Sequence, residues 1–138
     1  MRNFITAVFL SAALAGAPSA QDALAPERQI EGVIRSQIDA FLEDDFARAF
    51  TFAAPNIQRL FGTSETFGDM VRRGYPMVWR PQTLRFGALR EKVGVLHQMV
   101  VIESADGAIH YLDYRMERID GAWRIAGVQI LELPELAA

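Results

Sequence analysis

VLHQMVVIESADGAIHYLDYRMERIDGAWRIAGVQILEL, residues 95–133, decides the fold. Apolar and polar residues alternate along it with a period of two, the pattern of half-buried strands. Asp106-Gly107 and Asp120-Gly121 interrupt that alternation, and Asp-Gly pairs favour the positive φ angles of tight hairpin turns. The stretch therefore reads as three consecutive antiparallel strands: Val95 to Ser104, Ile109 to Arg118 and Ala122 to Leu133. Thr83 to Arg90 reads as a strand before them. The expected sheet has about four strands.

Two-residue turns fix an expected register. Ala105 then pairs with Ala108 and Ile119 with Ala122, so Met99 faces Tyr114 and His97 faces Met116. One face carries Val95, His97, Met99, Val101, Leu112, Tyr114, Met116, Trp123 and Ile125. It is the richer in large apolar groups, so the helices are expected to pack on it. The other face carries Val100, Ile102, Tyr111, Asp113, Arg115, Val128 and Ile130. Gly127 is a candidate bulge, which shifts the strand beyond it by one.

Upstream of the strands the period changes to 3.6. Glu27 to Glu43 places Ile30, Val33, Ile34, Ile38, Phe41 and Leu42 on one helical stripe. Asp44 is the expected cap of a second helix carrying Phe46, Ala49, Phe50 and Ala53. Pro55 opens a further turn through Phe61, closed by Gly62. Thr63 or Ser64 caps a helix from Glu65 to Arg73, and Gly74 is its expected left-handed C-cap. Tyr75 to Pro81 (YPMVWRP) is expected to be extended, because proline disfavours helix in the residue before it.

The first twenty residues have a different character. Met1-Arg2-Asn3 is short and basic, Phe4 to Ala15 is apolar or small, and Gly16 to Ala20 is a small-residue tail. That order is a secretory signal, with cleavage expected after Ser19 or Ala20. The apolar run is shorter than the ~18 residues of a membrane span. Residues 1–20 are thus read as a signal peptide and 21–138 as one domain, exported to the periplasm or secreted, with no membrane span in the mature form.

Composition narrows the chemistry. The 138 residues contain no cysteine, two histidines and a formal net charge of -3. No disulfide, thiolate nucleophile or cysteine-bound metal is possible, no metal site or cofactor is expected, and a phosphate-binding nucleic-acid surface is disfavoured. No phosphate loop or nucleophile elbow occurs.

Helices followed by a curled antiparallel sheet form an α+β arrangement with a cone-shaped cavity. The segment Asp120 to Val128 resembles the terminal strand of many members of the nuclear-transport-factor-2-like (cystatin-like cone, SnoaL-like) superfamily. Phe52-Ala53-Ala54-Pro55, Phe61-Gly62, Phe67, Met70-Val71-Arg72, Gly74-Tyr75-Pro76 and Arg80-Pro81 resemble the family called domain of unknown function 4864. The resemblance spans roughly Ile30 to Leu131. It implies the cone fold and no particular activity, since relatives include isomerases, dehydratases, ligand binders and association modules.

The residues themselves suggest a non-catalytic binder of a small apolar or amphipathic ligand, or of a protein partner. Its expected pocket is built from His97, Met99, Tyr114, Met116 and Trp123, with Tyr75, Trp79 and Arg80 at the rim, where arginine orients an anionic group. The alternative is a cofactor-independent isomerase, dehydratase or hydrolase using His97 and Tyr114 as acid–base pair. Val100, Ile102, Tyr111, Val128 and Ile130 form an expected apolar outer patch, suited to a homodimer.

Overall fold

The computed structural model describes residues 23–132; the signal-peptide reading falls on residues outside that range. Two-residue β1 (Ala23–Leu24) precedes five helices: α1 (Arg28–Leu42), α2 (Phe46–Thr51), α3 (Pro55–Phe61), α4 (Ser64–Gly74) and α5 (Pro76–Trp79). Then come β2 (Pro81–Lys92), β3 (Val95–Ser104), β4 (Ile109–Ile119) and β5 (Ala122–Leu131). The strands form one antiparallel sheet in the order β1-β2-β3-β4-β5. The architecture is α+β, with the helices packed on one face of a curled sheet. The edge strand β1, paired to Leu89 and Arg90, has no counterpart in the sequence reading.

Each helix starts where its chemistry allows. Glu27 caps α1 by accepting from the Gln29 amide. Ile30, Ile34, Ile38 and Phe41 then bury the α1 stripe in the core. Asp45, not Asp44, caps α2 by accepting from the Arg48 amide at 3.1 Å, because Asp44 takes a φ of 54° in the preceding turn. Pro55 opens α3 and Gly62, at φ 77°, ends it. Thr63 caps α4.

Gly74 is still helical, and the chain leaves α4 through Tyr75 at φ -134° rather than through a left-handed glycine. The segment after it is a helical turn and not extended. The two prolines restrict the residues before them, and Tyr75 and Arg80 are indeed off-helix at φ -134° and -135°. Met77 and Val78 lie between them, unrestricted, and Pro76 occupies the first helical position that suits it.

The β3–β4 register is offset by one from the expected pairing. Ala105 to Gly107 form a three-residue loop, closed by Ser104 N donating to Ala108 O at 2.9 Å. Gly107 sits at φ 85°, and Asp106 accepts from the Ala108 amide. Gln98 therefore faces Tyr114, and Leu96 faces Met116. Since side chains alternate faces, the slip inverts the whole of β3. Val100 and Ile102 are fully buried in the core, whereas His97 and Met99 lie on the face away from the helices.

The Asp120-Gly121 turn does close with two residues, pairing Ile119 with Ala122 and Met116 with Ile125. Beyond Ile125 a bulge places Gly127 opposite Arg115. There the chain between α2 and α3 lies along the other edge of β5. Ala54 N donates to Ile125 O at 2.8 Å, Ile125 N donates to Phe52 O at 2.9 Å, and Asn56 Nδ2 donates to Ala126 O at 3.0 Å. The bulge turns Val128 and Ile130 inward, to pack against the core. Of the five residues read as an outer apolar patch, Tyr111 alone remains on the outer face, half-buried. A second bulge in β2, between Phe86 and Leu89, is held by Gln98 Nε2 donating to Gly87 O at 3.0 Å. A further register shift in β2 lies between Pro81 and Thr83, and irregularities of this kind bend strands and increase their twist.

Candidate functional site

The inner face of the sheet does not fill the space beneath the helices completely. A cavity of about 250 Å³ remains between α1, α3, α4, α5 and the bulged part of β5. Phe41 of α1, Phe67 and Val71 of α4, and Val78 of α5 supply its apolar inner wall. Ile125, Gly127 and Val128 supply the sheet side, so the bulge shapes the space. Ile57, Leu60 and Phe61 approach from α3. No residue of α3 is buried, and Leu60 is 72% exposed, so this helix forms the rim.

Asp, Glu, Lys, Arg and His are all absent from the described lining. Three polar side chains reach it: Gln37, Tyr75 and Tyr114. Gln37 Nε2 donates to Ala49 O at 3.2 Å, and the Tyr75 hydroxyl donates to Val128 O at 3.0 Å. The Tyr114 hydroxyl is fully buried and has no hydrogen-bond partner among the described residues. Burial, and secondarily the nearby Tyr75, push its pKa far above the ordinary phenol value. It is a neutral donor at any physiological pH.

A second polar cluster lies on the opposite face of the sheet. Asp113, 4% exposed at its side chain, receives Arg90 Nη2 at 2.6 Å, His97 Nδ1 at 3.3 Å and Lys92 Nζ at 3.7 Å. Burial lowers the His97 pKa, and the attraction of Asp113 only partly offsets that. His97 is therefore neutral near pH 7, and its Nδ1 faces the carboxylate. The one-residue slip thus gives His97 a carboxylate neighbour and removes it from Tyr114. His97 and Tyr114 stand on opposite faces and do not form an acid–base pair.

The remaining expected pocket residues are dispersed. Met99 accompanies His97 on the outer face. Met116 and Trp123 face inward but line a separate hollow of about 400 Å³ at the end of the sheet, beside Leu96 and Arg118. Trp79 and Arg80 turn to α1. Arg80 Nη1 donates to Phe41 O at 2.7 Å, and Arg80 Nη2 and Trp79 Nε1 both donate to Asp44, at 2.8 and 2.9 Å. The guanidinium also stacks on the Trp79 ring at 4.1 Å. These bonds, Trp79 first and Arg80 next, hold the Asp44 pKa below the usual carboxylate range. Arg80 therefore caps the C-terminus of α1 rather than lining the cavity.

Of the eight expected pocket residues, Tyr75 and Tyr114 meet at the cavity. The others that build it, such as Phe41, Phe67 and Val71, were visible in the sequence only as helix core positions. Nothing in their spacing separates a residue that fills the core from one that borders a void.

A family model described as Domain of unknown function (DUF4864) matches residues 23–138, and the chain belongs to that family. No curated protein matches it. Among solved structures it is similar to Aln2 from a Streptomyces species, with 15% identity and a TM-score of 0.47, covering 88% of this chain and 96% of that one.

Proposed function

We propose that this DUF4864 domain is an exported, non-catalytic binder of one small, largely apolar molecule, held in the cavity beneath α3. The observation that carries the reading is the cavity itself: about 250 Å³ with no charged residue in its described lining. An apolar void of about 150 Å³ accepts benzene, so this one suits a molecule of roughly ten non-hydrogen atoms. The cavity opens to solvent past Leu60, so a ligand that enters removes its apolar wall from water. The exposed rim helix offers an entry that does not require opening the sheet.

A homodimer through the outer sheet face is not part of this reading, because Val100, Ile102, Val128 and Ile130 belong to the core or pack on it. The test is mass spectrometry of a denatured extract of protein purified from its native host, alongside thermal melts with added naphthalene. A co-purifying apolar molecule and a melting temperature that rises with naphthalene concentration are the expected results. An empty native protein whose melting is indifferent to naphthalene overturns the reading.

A further inference from the structure

We infer that the Tyr114 hydroxyl is the polar anchor of the cavity, donating one hydrogen bond to a neutral carbonyl oxygen of the ligand, so that the ligand class is small ketones, aldehydes or esters rather than acids. This rests on the ligand-binding reading above. Buried hydroxyls are paired in nearly every native structure, and an unpaired one is a cost the fold must carry. Tyr114 is fully buried, borders the cavity and has no partner among the described residues. Its neighbour Tyr75 is also in the wall, but the Tyr75 proton is committed to Val128 O. Gln37 likewise commits an amide hydrogen to Ala49 O. Tyr114 thus keeps a hydroxyl proton that no described residue takes; because the hydroxyl is closed off in the empty cavity, a ligand oxygen meets it when the surrounding wall shifts on binding.

The character of the acceptor follows from the surroundings. Charged side chains are absent from the described lining, so a carboxylate or phosphate would enter without compensation for its lost hydration. Burial keeps the phenol protonated, so it remains a donor. A carbonyl oxygen needs one such donor and no counter-charge.

The test uses an isosteric pair, acetophenone and 2-phenylpropene, which differ by oxygen against methylene. Dissociation constants are measured by calorimetry for the wild-type protein, Tyr114→Phe and Tyr75→Phe. In the wild type acetophenone binds and benzoate does not. The preference for ketone over alkene falls about fivefold in Tyr114→Phe, the worth of one ordinary hydrogen bond, while 2-phenylpropene binds at least as well as before. Tyr75→Phe leaves the preference unchanged. An unchanged preference in Tyr114→Phe overturns the Tyr114 assignment and leaves the cavity reading standing. Binding of neither probe to the wild type overturns the cavity reading instead. If Tyr114→Phe does not fold, the carbonyl stretch of acetophenone bound to the wild type decides. A band shifted to lower frequency than in hexane supports the bond, and a hexane-like band overturns it.

Discussion

His97 Nδ1 lies 3.3 Å from Asp113 Oδ2 on the sheet face that the helices do not cover. The two residues come from adjacent strands, and Arg90 and Lys92 of β2 complete the surround of the carboxylate. Three strands are thereby tied through one buried charge. A buried carboxylate is tolerable only while its partners remain.

Asp113→Ala leaves Arg90 without its partner at a site where the carboxylate had been almost inaccessible to water. Breaking a buried pair in this way costs about 3 kcal/mol or more. Lys92→Ala removes an exposed partner at 3.7 Å and is worth about 0.5 kcal/mol or less. Urea unfolding of the two variants measures both. Equal, small losses would show that Asp113 is solvated and that its contacts are incidental.

The same cluster sets a pH dependence. The folded His97 pKa lies below its ordinary value of 6.5, chiefly through desolvation. The unfolded chain therefore binds a proton before the folded one does. The contribution of neutral His97 to stability is complete above pH 6.5 and is lost as the pH falls through the lower, folded value. His97→Gln removes the proton and keeps a polar side chain. Wild type should lose more stability than His97→Gln between pH 7.5 and 5, read as the shift in urea midpoint. Identical shifts would mean that His97 titrates normally in the folded protein.

Much of this geometry was legible in the chain, and the failures share one cause. The α1 stripe, the Thr63 cap, Pro55 and Gly62 are local signals, and local interactions decide them. Asp106-Gly107 is also a local signal, but it fits both a two-residue turn and a three-residue loop with glycine at the same left-handed position. Which one forms depends on burying Val100 and Ile102 under the helices, a non-local gain. A single residue of slip then moved His97 from the expected pocket to Asp113. The cavity was illegible for a related reason. It is a shortfall of packing among α1, α3, α4 and β5, and no single segment carries it.

Two glycines of α4 give opposite expectations. Gly74 is helical, with no positive φ and no heavy atom within 4 Å of a Cβ built there. Gly74→Ala should therefore stabilise by roughly 0.5–1 kcal/mol. At Gly68 a Cβ would stand 2.7 Å from the Phe46 ring, so Gly68→Val should destabilise by about 1–3 kcal/mol through overpacking. Calorimetric melting temperatures separate them. Destabilisation by Gly74→Ala would restore the left-handed C-cap.

The proposed export has a direct check. The apolar run from Phe4 to Ala15 and the small residues at Ala17 and Ser19 fit a processed signal. Intact mass of the protein from its native host should lack about the first twenty residues. A full-length cytoplasmic protein contradicts the proposal.

Val128 distinguishes the two sheet registers and the function together. On the register without a bulge, Val128 belongs to the outer face, and a larger side chain there meets solvent. With the bulge at Gly127, Val128 borders the cavity, and its carbonyl accepts from Tyr75. Val128→Phe retains that backbone bond and adds a ring where the void is. Filling a native cavity commonly stabilises by about 0.5–2 kcal/mol, so the melting temperature should rise or hold. The ring takes the place of a ligand, and 2-phenylpropene affinity should fall at least about tenfold, equivalent to ~1.4 kcal/mol. Unfolding by this variant would mean that the cavity is smaller than described. A folded Val128→Phe that binds 2-phenylpropene as tightly as the wild type would place Val128 outside the binding site and overturn the cavity as the place where the ligand sits.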